Sequence, residues 1–258
     1  MSLTPRARHK GFLHPTTLLL HPQFGDLADF MRSLPQRMKQ GEGTVIHKGR
    51  NELRLMDCGN RQLVVKAFRQ PNVVNQFVYG TLRPSKAKRS YDNAMLLLSL
   101  GIGTPQPVGY YNLRGLLGLR FDLSYYVSLR SVCTHRYQEL FERHFDYEED
   151  VLRAIGRLTA KLHDNRLAHK DYGRANILFE RQPDGEILLE LVDLNRMAVG
   201  PLDVRAGCKN FERLPATPQM HRWMAEAYAE ARGFDADECY RLMTAFRATQ
   251  DGKIDGKY

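Results

Sequence analysis

No stretch of this 258-residue chain is apolar for long enough to cross a bilayer as a helix. The longest purely apolar run is AMLLL, residues 94–98, against about 20 residues for a span. Cysteine is scarce, and its four copies (Cys58, Cys133, Cys208, Cys239) form no CxxC pair. That argues against a zinc site or a dense disulfide framework and fits a reducing cytoplasm. The opening MSLTPRARHKGFLHPTTLLLHPQ has basic residues and a brief apolar patch but no small-residue cleavage site, so it reads as mature protein and not a signal peptide. Internal repeats are missing too. Acidic residues are thin at the front: residues 1–90 hold five of the 29 Asp/Glu but 16 of the 38 Lys/Arg. A basic first third points to an anionic partner such as nucleotide phosphate, a lipid headgroup surface or nucleic acid, or else to a solvated basic surface with no specific partner.

What is present has two regimes. Residues 23–40 place Phe24, Leu27, Phe30, Met31 and Leu34 at helical spacing, and Pro35 is expected to bend or end that helix. The period then changes. Residues 44–48, 52–58 and 62–68 read as three strands, the last two joined by a tight Gly-Asn turn. A helix follows, with Ser85 as N-cap, Tyr91, Met95 and Leu98 on one face and Gly101 as terminator. Strands near 107–111 and 121–128 complete a β-β-β-α-β-β order. Beyond about residue 129 the pattern turns helical. Val151, Ile155, Leu158 and Leu162 form one stripe, a hairpin spans 177–192, and two amphipathic helices lie near 219–232 and 235–248. Asp235 and Glu238 suggest a capping box for the second of these. The segment SVCTHRYQELFERHFDYEED reads as either a mobile insertion or a helical link.

Four polar features sit on this frame in a fixed order: LVVK ending at Lys66, a helix carrying the single acid Asp92, the loop HKDYGRAN, and LVDLN with Asp193. Transfer of a phosphoryl group from ATP calls for these parts. A fixed cation, Lys66, would meet the α/β-phosphates. A carboxylate, Asp171, would align the acceptor hydroxyl and take its proton. Hard oxygen ligands, Asn176 and Asp193, would hold Mg²⁺. Each element alone is weak; their order and context are what count.

These residues resemble the protein-kinase-like superfamily over about residues 43–200. Within it the chain is most similar to the bacterial lipopolysaccharide core kinases that act on Kdo or heptose. The finer resemblance rests on GTVIHKGRNELR, RSYDNAMLLLSLGIGTPQPVGY, SYYVS, LHDNRLAHKDYGRANILF, LVDLNRM and GCKNFERL. It implies an α+β, two-lobe fold: a basic helical extension over 1–42, an N-lobe over 43–130 with a five-stranded antiparallel sheet and one helix, and a reduced, mainly helical C-lobe over 131–258. It implies ATP and Mg²⁺ as cofactors, with Lys66 on the phosphates, Asp171 catalytic, and Asn176 and Asp193 as metal ligands. Ser128 to Arg130 would be the hinge that meets adenine.

The departures are informative. No GxGxxG lies between the first two strands; KGRN stands there, offering Gly49, Arg50 and backbone N–H groups to phosphate. The helix acid expected beside Lys66 is an aspartate, Asp92, which is either a shortened partner or a solvated helix acid. The metal segment reads DLN. Arg174 either meets the phosphoryl group or an acidic substrate, or pairs with a surface acid, and His169 is expected to brace the loop by packing and hydrogen bonding and not to act as a base. Only 65 residues follow Asp193 and no APE occurs. A small-molecule or glycolipid acceptor therefore suits the chain better than a protein, and nucleic acid is not expected. The expected location is cytoplasmic, with peripheral contact at the anionic inner face of the inner membrane. A kinase for another hydroxyl, or a non-catalytic nucleotide-binding module, are the alternatives.

Overall fold

The computed structural model describes residues 16–68, 84–114 and 121–255. They divide into two compact units, one drawn from residues 16–68, 84–88, 108–114 and 121–128, the other from residues 89–107 and 129–255.

The first unit is built on a sheet. Its strands are β1 (Thr17–Leu20), β2 (Thr44–Lys48), β3 (Asn51–Cys58), β4 (Arg61–Phe68), β5 (Pro107–Arg114) and β6 (Phe121–Leu129). The spatial order is β1-β5-β6-β4-β3-β2. Five strands were expected and six are found. The sixth, β1, comes from the TTLLL patch of the supposed N-terminal extension and pairs antiparallel with β5. A strand of four residues is too short to show a period, so its pairing is visible only in three dimensions.

Alternation along β4 explains where its lysine goes. Leu63 and Val65 are fully buried on one face. Lys66 and Phe68 share the other, and the Lys66 ammonium lies 5.4 Å from the centre of the Phe68 ring.

Helix α1 (Ala28–Gln40) precedes β2 and continues past Pro35. Burial of Phe30, Met31 and Leu34 on one stripe outweighs the lost backbone bond. The helix stops instead at Gly41, whose φ of 75° is the left-handed conformation glycine adopts without penalty. Arg54 of β3 then gathers the chain that follows. It pairs with Glu52 at 2.7 Å and donates to the carbonyls of Gly41, Glu42 and Gly43.

The second unit is mainly helical. Its helices are most of α2 (Lys86–Ser99), then α3 (Glu148–Asp164), α4 (Val204–Lys209), α5 (Pro218–Arg232) and α6 (Ala236–Asp255). The α2 stripe sits slightly off the expected face. Ala87, Ser90, Tyr91, Ala94 and Leu97 are buried, whereas Met95 and Leu98 are at the margin. Gly156 lets α3 and α5 touch, since a Cβ there would meet the Met224 carbonyl oxygen at 2.6 Å. The predicted hairpin is β9 (Ile177–Arg181) with β10 (Ile187–Leu191). The segment left open in sequence adds a third strand, β7 (His135–Arg136), on β9, followed by a 3-10 turn at Tyr137–Phe141. The His135 ring packs on Phe145 and Phe179, so this stretch is anchored locally. A last pair, β8 (Leu167–His169) with β11 (Met197–Val199), brackets the polar loop. Among the described residues no helix is long and apolar enough to cross a membrane.

Candidate active site

In the second unit, backbone and side-chain bonds stitch three segments of sequence together. The buried His169 ring sits between them. Its Nε2 lies 3.1 Å from the Val192 carbonyl, which only accepts, so Nε2 carries the hydrogen. Its Nδ1 then accepts from the Asp171 backbone N–H at 3.1 Å. Burial pushes the His169 pKa down, keeping the ring neutral in this role. A ring donating one way and accepting the other is a brace.

Asn176 extends the same stitching. Its side-chain amide donates to the Asp171 carbonyl at 2.8 Å, and its own carbonyl accepts from Val192 N–H at 3.0 Å. Asp193 follows directly, at the end of the strand pair, with φ 61° and ψ 46°. Aspartate tolerates that left-handed conformation better than most residues. Its carboxylate accepts a bond from the Asn195 side chain. Asn93 of α2 donates to the Leu194 carbonyl at 2.6 Å, tying that helix to the turn after Asp193. Asp171, Asn176 and Asp193 are thus brought onto one bonded framework.

The Asp171 carboxylate itself is held by cations. Arg213 donates to Oδ1, and Arg196 lies 3.8 Å from Oδ2. Neither arginine was singled out in sequence, although both lie in the quoted stretches LVDLNRM and GCKNFERL. An ion pair spanning 42 residues leaves no local pattern. Arg213 ends a 3-10 turn, Asn210–Arg213, whose anchor is the fully buried Phe211. That ring packs edge-on against Tyr172 and Tyr228 at 6.1 and 5.4 Å.

Behind the loop runs a buried polar network. Asn210 donates through Nδ2 to the His169 carbonyl at 2.9 Å, which turns its Oδ1 toward His163 Nε2 at 3.1 Å. His163 therefore carries its hydrogen on Nε2, and its Nδ1 accepts from the Tyr228 hydroxyl at 2.8 Å. Burial lowers the His163 pKa to about 4.

A histidine kept neutral when folded contributes fully above its unfolded pKa, near 6.5. That contribution is lost as the pH falls toward 4, because the unfolded chain takes up the proton first. The loss is on the order of 3 kcal/mol. Urea unfolding at pH 7.5, 5.5 and 4.5 should show it. In His163→Gln the pH dependence over this window should flatten, and an unaltered slope would remove His163 as its source.

Arg174 is exposed on the loop, and no ion pair or hydrogen bond engages its side chain among the described residues. Asp92 is exposed on α2. In the first unit, Lys66 is buried on β4. Gly49 and Arg50 form the exposed turn between β2 and β3, where the Gly49 N–H already donates to Asn51 O at 3.1 Å. Ser128 is buried near the end of β6, and the next amide, Leu129 N–H, is given to Gln106 O at 2.9 Å.

For a metal, the framework offers Asn176 Oδ1 and the Asp193 carboxylate, both hard oxygens suited to Mg²⁺. Among the described residues no three His, Cys, Asp or Glu side chains converge. A cation here would draw its other ligands from phosphate and water, which is the habit of Mg²⁺.

The model of the lipopolysaccharide kinase (Kdo/WaaP) family matches residues 52–231. Among solved structures, WaaP in complex with acyl carrier protein superposes with a TM-score of 0.62 at 16% identity, covering 94% of this chain and 99% of that one. The Rio2 kinase–ADP/Mg²⁺–phosphoaspartate complex from Chaetomium thermophilum gives 0.47 at 14% identity, over 92% and 82% of the two chains. A search of the curated proteins returns no match.

Proposed function

The chain belongs to the lipopolysaccharide kinase (Kdo/WaaP) family and is a kinase, and on that premise we propose that it moves the γ-phosphoryl group of ATP, with Mg²⁺, to a sugar hydroxyl of the lipopolysaccharide core. The observation that carries this reading is the stitched framework of Asp171, Asn176 and Asp193 in the order the chemistry needs. The hydroxyl oxygen attacks the γ-phosphorus, the bond to the bridging oxygen breaks to leave ADP, and the hydroxyl proton passes to Asp171. Bound Mg²⁺ supplies charge neutralisation on the phosphates. The chain's own residues do the positioning. Lys66 meets the phosphates, Asn176 and Asp193 hold the metal, and the neutral His169 fixes the Asp171 backbone. The work is alignment and electrostatics, which suits a loop braced from behind. The same reading sets the protein to work at the anionic inner face of the inner membrane, with its basic N-terminal third toward the lipid headgroups.

The acceptor is tested with γ-labelled ATP and a panel of Kdo-lipid A, heptosylated core, an aminoglycoside and a generic protein. Label on Kdo or heptose is expected; label on the protein alone would overturn the sugar assignment. The metal roles have their own test. Asn195 supports Asp193 with a hydrogen bond, and partners of that kind are worth roughly 10–100-fold in metal affinity. Asn195→Ala should weaken Mg²⁺-dependent nucleotide binding by that factor, and Asp193→Ala by more, as read by titration calorimetry. Equal Mg²⁺ dependence in both variants and the parent would remove Asp193 from the metal site.

A further inference from the structure

The Asp171 carboxylate presents a difficulty. It is the group meant to receive an acceptor hydroxyl, yet Arg213 donates to its Oδ1 and Arg196 stands 3.8 Å from its Oδ2. The Arg213 guanidinium takes an acceptor position that an alcohol would use, and both cations resist a proton arriving on the carboxylate. These cations are not incidental surface groups. Asn210 bonds the loop at His169, Phe211 is fully buried, and Leu214 is fully buried just beyond, so Arg213 is aimed from a turn fixed on both sides. The Arg196 carbonyl accepts from Lys170 N–H at 2.8 Å, which fixes that residue against the loop as well. Both side chains remain about half exposed, so an incoming ligand can reach them. Exposed Lys170 and Arg174 add two further cations on the same loop.

We propose that Arg213 is an acceptor-binding residue: it holds Asp171 while the site is empty and releases it to a negatively charged group on the acceptor, a carboxylate or a phosphate near the reacting hydroxyl. The inference rests on the lipopolysaccharide-kinase reading and names what that acceptor must carry. An anion outcompetes Asp171 for Arg213 because it can take the planar donor fork in bidentate fashion. Arg213 turns to the ligand, and the carboxylate becomes free to take the hydroxyl proton. A neutral sugar lacks the means to make this exchange and meets an occupied carboxylate. Water meets it too, so the pair restrains wasteful hydrolysis of ATP.

The test compares the full-length protein with Arg213→Gln and Arg213→Lys on paired acceptors: Kdo-lipid A and its methyl ester, and heptosylated core with and without phosphate. The wild type should favour the charged member of a pair. Which pair shows this identifies the source of the anion. In Arg213→Gln the KM for the charged member should rise roughly 10–100-fold, the scale of one charge-assisted hydrogen bond, with the neutral member within about twofold. Arg213→Lys should keep part of the preference. ATP hydrolysis without acceptor should rise about threefold or more in Arg213→Gln, since the cation on Asp171 is gone. A purely structural arginine would lower both activities together and leave the charged-to-neutral KM ratio alone. That outcome, an unchanged ratio, overturns the proposal. If the wild type phosphorylates none of the four sugars, the sugar-kinase reading fails by itself. Hydrolysis then decides alone, and no rise in Arg213→Gln overturns the holding role.

Discussion

Asp171→Asn is expected to lower phosphoryl transfer by about 10²–10⁴-fold while nucleotide binding persists. The substitution keeps the shape of the side chain and removes its capacity to take up a proton. The backbone contacts that hold the loop do not involve that carboxylate. His169 holds the Asp171 backbone N–H, and Asn176 holds the Asp171 carbonyl, and both contacts survive the change. The loss should therefore appear in kcat with labelled ATP, with the thermal shift produced by ATP and Mg²⁺ retained. Turnover within threefold of wild type would remove Asp171 from the chemistry.

The second large effect is on stability. Phe211→Ala should cost about 3–5 kcal/mol in urea unfolding, the range for truncating a buried aromatic. Phe211 is fully buried and touches Tyr172 and Tyr228, so the cavity would open between the loop and α5. Activity should fall as well, because the same turn carries Asn210 and Arg213. Phe211→Leu, which refills most of the space, should recover much of both. A cost below about 1 kcal/mol for the alanine variant would mean that the turn is held by its hydrogen bonds alone.

Legibility in the sequence divides along physical lines. The strands β2 to β6 carried alternation or tight-turn residues, and their order was readable because each element signals its own period. The link between Asp171 and Asn176 was within reach of the sequence because the two lie five residues apart, and Asn176 bonds the Asp171 carbonyl. The bracing role given to His169 matches the contacts its ring makes. What escaped was what distance in sequence conceals. Strand β7 has two residues and so no period. Arg213, Asn210 and His163 look like ordinary polar residues until folding sets them side by side. Pro35 does not end its helix, because the buried stripe of Phe30, Met31 and Leu34 outweighs its local penalty.

The network behind the loop is ordered from one end to the other. Arg232 donates to the Tyr228 hydroxyl at 3.4 Å, Tyr228 to His163, His163 to Asn210, and Asn210 to the His169 carbonyl. Every hydrogen in this series points the same way, from the end of α5 toward Asp171. The first member can only donate and the last can only accept, so the series has no reversed counterpart of equal energy. Hydrogen-bonded rings and hydroxyls often flicker between two such orderings; here both ends forbid it. The loop is thus backed by a structure with a single proton arrangement, and it transmits one orientation of Asn210 and no other to the His169 carbonyl.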